Sequence, residues 1–173
     1  NIMYQLGEIA YKQKKYTAAI EEWKNLASKY PSSWQGRKAW FQIGQTHEKK
    51  LHQYEAAIAA YKKVNYWRYR YKAKAAIRRL TQKGLSLLTP RVFRVKEGAS
   101  LEASVRNIKQ LTVKLYKVDP ETYFRKMRGF GGMERLDTPL IRPDRTWVVK
   151  VPKYRKYHLQ KTPIKFGAGS PMV

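Results

Sequence analysis

The side chains most capable of chemistry do not form a recognisable catalytic or metal-binding pattern. Cysteine is absent, which excludes disulfides, zinc–thiolate sites, iron–sulfur clusters, thiol nucleophiles and thioesters from this sequence. The three histidines are His47, His52 and His158, and no carboxylate or thiol ligand lies at a matching spacing. We therefore interpret them as surface residues and predict that the chain binds neither a metal nor a cofactor.

Other catalytic motifs are also incomplete. The glycine-rich segment 129–132 resembles a phosphate-binding loop only superficially, because no Gly-Lys-Ser or Gly-Lys-Thr follows it. Ser32 and Ser33 have no general base nearby in the sequence. Three aspartates lie next to or near prolines, where they usually serve as turn residues: Asp119, Asp137 and Asp144. These patterns predict that the chain is not an enzyme.

The most prominent electrostatic feature is a basic stretch at residues 62–79. It contains eight Lys and Arg, four aromatic side chains and no acid. Basic groups interleaved with rings can bind single-stranded nucleic acid, because cations neutralise phosphates while bases stack on the rings. A polyanion site here would comprise Arg68, Arg70, Lys72, Lys74, Trp67 and Tyr71. A solvated helix face, or contact with an acidic protein surface, explains the same residues, and we favour these two readings.

The chain as a whole is basic and long enough for one domain or two small ones. It has 173 residues, 37 Lys and Arg against 12 Asp and Glu, and a formal charge of +25. No run of 18 apolar residues occurs, so the sequence predicts no membrane span. The sequence opens within a helical pattern and ends where another strand could begin. We therefore expect it to be a piece of a longer protein, whose targeting signal it does not reveal.

The composition changes near Gly84. Residues 1–84 are rich in Ala, Lys, Gln and Tyr and contain a single proline, which is typical of helices. Residues 85–173 contain seven of the eight prolines and most of the Val and Thr, which is typical of strands and turns. We predict a multi-domain fold of α plus all-β type. It has a helical segment at 1–83, a linker at 84–87 and a β domain at 88–173, truncated if the sequence is a fragment.

The helical segment repeats after 37 residues. Gly7 and Gly44 are each followed by alanine and then an aromatic residue, so that two helices can approach closely and the ring can pack between them. This pattern resembles the tetratricopeptide repeat, although the second copy has one extra residue and no closing proline. The signature residues are Leu6, Gly7, Ala19, Trp23 and Pro31 in the first copy, and Ile43, Gly44, Ala57 and Tyr61 in the second. A generic helical hairpin is the alternative.

The repeat resemblance implies a surface for a protein partner. Residues 67–80 carry one apolar stripe, which predicts a capping helix that closes the stack of helices. The concave face of the hairpins would hold a segment of the partner. The candidate contact residues on that face are Tyr4, Tyr11, Gln42 and His47.

The second half alternates apolar and polar residues at 101–106, 111–116 and 147–151. This period of two predicts antiparallel strands with one buried face, and several short strands suggest a β-sandwich. The short connection near residue 107 predicts that 100–106 and 110–118 pair as a hairpin.

This half resembles the N-terminal macroglobulin-like domain of bacterial alpha-2-macroglobulin family proteins. The resemblance covers roughly residues 88–173. It rests on Val-Arg-Asn-Ile at 105–108, on 111–119, on Tyr-Phe-Arg-Lys at 123–126, on Leu-Asp at 136–137 and on Val-Pro-Lys-Tyr at 151–154. It implies a larger protein of the periplasm or cell envelope, in which tetratricopeptide repeats precede the domain and further β domains follow as packing partners. The family's bait region and Cys-Gln thioester segment are absent, so this stretch alone cannot trap proteases.

The combined prediction is a non-enzymatic protein-interaction and scaffolding region of an alpha-2-macroglobulin-like envelope protein. The alternative is a basic module that binds RNA or another polyanion.

Overall fold

The computed structural model describes residues 2–89, 91, 93, 98–129 and 141–166, with only the backbone described at 120 and 127. The chain divides into two compact units, Asn1–Gln82 and Lys83–Val173. The first unit is made of helical repeats, and the second contains antiparallel strands and a helix. Within the described ranges, no helix is long and apolar enough to cross a membrane.

The first unit consists of five helices in the described residues. They are α1 (Ile2–Lys12), α2 (Tyr16–Lys29), α3 (Trp34–Lys49), α4 (Tyr54–Lys62) and α5 (Trp67–Thr81). Each helix packs against the next along the chain. Helix α3 begins where Ser33 Oγ accepts a hydrogen bond from the backbone nitrogen of Gly36 at 3.0 Å, which satisfies one otherwise unpaired donor of the first turn.

The two hairpins, α1–α2 and α3–α4, are built on the same contact between a glycine and a ring. A Cβ atom on Gly7 would lie 2.6 Å from Trp23 Cδ1, and one on Gly44 would lie 2.5 Å from Tyr61 Cε1. Trp23 and Tyr61 are 1% and 2% exposed. Because any larger residue would push the helices apart, glycine is required at both positions, and the predicted repeat register is confirmed.

The helix predicted over residues 67–80 is also confirmed. Helix α5 runs from Trp67 to Thr81 and buries Ala73, Ala76 and Leu80 on one side. These positions recur at the spacing of an amphipathic helix, so the apolar stripe faces α4 and α3 while the basic residues stay exposed.

The second unit contains five strands and one helix among its described residues. They are β1 (Gly84–Leu88), β2 (Ser100–Arg106), β3 (Gln110–Leu115), α6 (Pro120–Met127), β4 (Arg145–Lys150) and β5 (Leu159–Lys165). One sheet has the order β1-β2-β5, and the other pairs β3 with β4; all pairs are antiparallel. The alternation is confirmed, since one hydrophobic cluster receives the inward residues of both sheets, including Ala103, Val105, Val113, Trp147 and Ile164.

The predicted hairpin of 100–106 with 110–118 is wrong. Strand β2 pairs with β1 and β5, whereas β3 pairs with β4. The connection carries the chain from one sheet to the other: Asn107 adopts a left-handed conformation with φ of 57°, and its side chain accepts a hydrogen bond from the backbone of Tyr157 at 2.7 Å. The backbone oxygen of Lys109 then accepts from Val151 at 2.9 Å, beside the end of β4.

Residues 84–87, which were predicted to be a linker, form most of strand β1 instead. Leu85 stands opposite Val105 and Leu87 opposite Ala103 in the sheet register. Three residues of the glycine-rich segment, Phe130, Gly131 and Gly132, lie outside the described residues, as does Asp137.

Candidate functional site

Helices α1 and α3 bring together a cluster of polar side chains, here called the α1–α3 cluster: Tyr4, Glu8, Lys38 and Gln42. Gln42 Nε2 donates hydrogen bonds to Glu8 Oε1 at 3.0 Å and to the Tyr4 hydroxyl at 3.3 Å. Lys38 Nζ lies 4.7 Å from the centroid of the Tyr4 ring, within reach of a cation–π interaction. Each helix contributes a pair four residues apart, which places both members on one face.

The surroundings of the cluster set its protonation states. Burial raises the pKa of the Tyr4 phenol, although hydrogen bonding to Lys38 opposes this effect. Burial is the largest single effect and lowers the pKa of Lys38, but the hydrogen bond to Tyr4 and the charges of Tyr4, Tyr69 and Glu8 together outweigh it, so the pKa of Lys38 is raised overall. At neutral pH Tyr4 is therefore a neutral phenol and Lys38 an ammonium, and the side chains of Glu8 and Gln42 lie beside them. This set suits hydrogen bonding to a peptide and contains no activated nucleophile.

Aromatic rings extend the cluster on both sides. The Tyr4 ring lies 6.4 Å from the rings of both Trp23 and Trp34, and the Tyr11 ring lies 5.9 Å from that of Trp23. Trp34 is 53% exposed and its ring is 5.7 Å from Lys38 Nζ. The sequence prediction did not include Trp34, although its position four residues before Lys38 in α3 could have indicated it.

His47 is not part of this cluster. It follows Gln42 by five residues, which turns it about 140° around an α-helix. It borders a pocket of about 410 Å³, which is also lined by Lys24 of α2, Trp40 of α3 and Lys63 directly after α4. Its Nδ1 lies 2.8 Å from Gln53 Oε1. The structure thus brings Tyr4 and Gln42 into contact and places Tyr11 nearby, but it separates His47 from them.

A buried carboxylate joins α3, α4 and α5. Glu48 is 6% exposed, accepts a hydrogen bond from the Tyr61 hydroxyl at 2.8 Å and pairs with Arg79 at 2.6 Å. Burial, and then the hydrogen bond to Glu48, raise the pKa of Tyr61. Since both carboxylate oxygens are engaged, Glu48 holds the helices together and is not a free general base.

Of the three aspartates predicted to be turn residues, the structure describes Asp119 and Asp144, and they lie at a helix cap and in a loop. Asp119 Oδ1 accepts from the backbone of Glu121 at 3.1 Å at the start of α6, and Asp144 Oδ2 accepts from the backbone of Lys117 at 2.6 Å. Throughout the parts of the chain that the structure describes, no group of three or more His, Cys, Asp or Glu could hold a metal ion.

The predicted polyanion residues all lie on α5, and all are exposed: Arg68, Arg70, Lys72, Lys74, Trp67 and Tyr71. Trp67 and Tyr71 are 73% and 77% exposed and stand one helical turn apart. The guanidinium carbon of Arg68 lies 5.6 Å from the centroid of the Trp67 ring. Helix α5 therefore presents cations and rings together on its exposed side.

Comparison with protein families gives one match in this unit. The family described as Tetratricopeptide repeat matches residues 2–33, which contain the α1–α2 hairpin. No curated protein and no solved structure matches the chain. The α3–α4 hairpin repeats the contact between glycine and ring found in the matched segment. The helical unit therefore carries a tetratricopeptide repeat at residues 2–33, followed by a second helical hairpin of the same construction.

Proposed function

We propose that this chain is a protein-interaction region in which the helical unit holds an extended segment of a partner against the α1–α3 cluster. The observation that carries the proposal is the convergence of four polar side chains from two helices around the half-buried ring of Tyr4. The tetratricopeptide match supports it, because such repeats are typically non-catalytic interaction modules.

The cluster has hydrogen-bonding capacity to offer a peptide. Both side-chain hydrogen bonds of Gln42 within the described residues use Nε2, which leaves the side-chain amide oxygen to accept from a backbone N–H. The ammonium of Lys38 has three donors, and those not bonded to Tyr4 can reach backbone carbonyls. Trp34 adds an exposed ring that can cover an apolar side chain of the partner.

A random-peptide display selection on the full chain tests this proposal. Selected peptides should bind the Lys38→Ala, Gln42→Ala double variant at least about tenfold more weakly, because buried polar contacts at an interface centre carry much of the affinity. The matched control is Lys29→Ala with Gln13→Ala, which removes the same residue types from exposed positions of the same unit. Equal binding to both double variants would contradict the proposal.

For the second unit we propose a macroglobulin-like β-sandwich within a larger envelope protein, packed against further β domains of the same parent. The resemblance of residues 88–173 to that domain supports this assignment, as does the hydrophobic cluster shared by the two sheets. The parental reading frame tests it. An upstream signal peptide with repeated β domains and a Cys-Gln segment downstream would agree, whereas a flanking nucleic-acid-binding domain would contradict it.

A further inference from the structure

Helix α5 is the last helix of the helical unit, and it lacks the glycine that allows close helix packing in the two hairpins. Gly7 in α1 and Gly44 in α3 each let the following helix approach closely. Helix α5 contains no glycine, and the chain continues from it into β1. Its exposed side is therefore not built to receive another repeat helix by the same contact.

A pocket lies beside this exposed side, between α4 and α5. Its volume is about 430 Å³. Its inner wall is mostly apolar, with Tyr61, Val64 and Ala73 buried and Ile77 half-buried. The remaining lining residues are Asn65 and the exposed cations Lys62, Arg70 and Lys74. Within the described residues none of these three cations takes part in an ion pair, and α5 itself carries no acid.

We propose that this pocket and the exposed side of α5 dock an acidic segment of a protein partner, in which carboxylates are interspersed with aliphatic side chains. An aliphatic side chain enters the pocket between α4 and α5. Carboxylates of the segment pair with Lys62, Arg70 and Lys74, so charge complementarity selects and orients it. The surface shares no residue with the α1–α3 cluster and does not depend on that proposal.

Two other occupants fit the surface less well. A second copy of this chain would oppose two α5 faces that each carry six Lys and Arg and no acid, which is electrostatically unfavourable. Single-stranded nucleic acid needs free ring faces for its bases, but the Arg68 guanidinium already lies over the Trp67 ring. The cations of the pocket surround aliphatic carbons, which suit an aliphatic side chain better than a base.

The experiment uses the full chain and three defined probes in fluorescence anisotropy. One is a synthetic peptide of about 16 residues made of Glu, Leu and Ala, long enough to span α5 in a helical form. The second is oligoglutamate of equal charge, and the third is a single-stranded oligouridylate. We expect the Leu-containing peptide to bind at least about tenfold more tightly than oligoglutamate, because only it fills the pocket.

Variants then locate the site. Arg70→Gln with Lys74→Gln should weaken peptide binding at least about tenfold, while Lys12→Gln with Lys15→Gln, which removes equal charge at the α1–α2 turn, should change it less than about threefold. All four residues are exposed, so the fold is preserved in both variants. A similar loss of peptide affinity in both double variants, or equal affinity for the peptide and oligoglutamate, would overturn the proposal. Helix α5 would then be only a solvated basic face. Tighter binding of oligouridylate, lost in Trp67→Ala with Tyr71→Ala, would instead assign the surface to nucleic acid.

Discussion

The two helical hairpins place different rings at the same structural position. Trp23 packs on Gly7 and Tyr61 on Gly44, and both rings are buried. Their polar atoms differ: Trp23 Nε1 has no hydrogen-bond partner in the described part of the chain, whereas the Tyr61 hydroxyl donates to Glu48. The first hairpin is held by packing alone at this point, and the second by packing plus a polar bridge.

This difference shows that the repeat fixes the volume at the ring position but not its chemistry. A buried N–H without a partner costs free energy, and here the large apolar surface of the indole offsets that cost. The tyrosine instead needs an acceptor, and Glu48 supplies it while also pairing with Arg79. The same position thus serves a second purpose in the second hairpin, because it connects α3 and α4 to the last helix of the unit.

The largest expected effect is the loss of a ring from the first hairpin. Trp23→Ala should lower the free energy of unfolding of the helical unit by about 3 to 5 kcal/mol, because it removes a buried ring and leaves a cavity. Urea unfolding followed by far-ultraviolet circular dichroism measures this change. Trp67→Ala is the matched control, since that ring is 73% exposed and its removal should change stability by less than about 0.5 kcal/mol. Equal effects of the two variants would refute the repeat register.

A smaller effect should come from the polar bridge of the second hairpin. Tyr61→Phe keeps the ring on Gly44 but removes the hydrogen bond to the buried Glu48 carboxylate, which should cost about 1.5 to 3 kcal/mol. The same unfolding experiment measures it. Tyr71→Phe, at a tyrosine 77% exposed, should be nearly neutral. If Tyr61→Phe were also neutral, the bridge would not distinguish the two hairpins.

Features that depend on regular spacing could be predicted from the sequence. The recurrence of glycine, alanine and a ring predicted both hairpins, and the stripe on residues 67–80 predicted α5. The alternation in the second half predicted which residues face the hydrophobic cluster. Periodicity identifies a buried face, so these predictions needed no knowledge of distant contacts.

Features that depend on distant contacts could not be predicted in this way. Alternation does not say which strands pair, so it cannot distinguish the crossing between sheets after β2 from a hairpin. The pairing of Glu48 with Arg79 joins residues far apart in the sequence and exists only because α3 approaches α5. The predicted partner surface includes both Gln42 and His47, although the helical rotation places them on different faces of α3.

The smallest expected effect concerns the pocket beside His47, which has lining residues from both hairpins. Burial lowers the pKa of His47 from its ordinary value of 6.5, and the charge of Lys24 lowers it further, while the hydrogen bond to Gln53 opposes both. The charged residues that line the pocket besides His47 are Lys24 and Lys63, and no carboxylate lines it among the described residues. His47 is therefore neutral in the folded unit at neutral pH.

Linkage gives the sign of the pH effect. Below about pH 6.5 the unfolded chain binds a proton at His47 more readily than the folded chain does, so the contribution of this group is complete above that pH and is lost as the pH falls. Urea unfolding at pH 5 to 8 should show this decline in the wild type and a flatter curve in His47→Gln. His52→Gln is the matched control at an exposed histidine and should retain the decline. The pocket lies where α2, α3 and α4 meet. A flatter curve in His47→Gln alone would therefore show that the stability of this region depends on the protonation of His47. An NMR titration that placed the His47 pKa at or above 6.5 would contradict this.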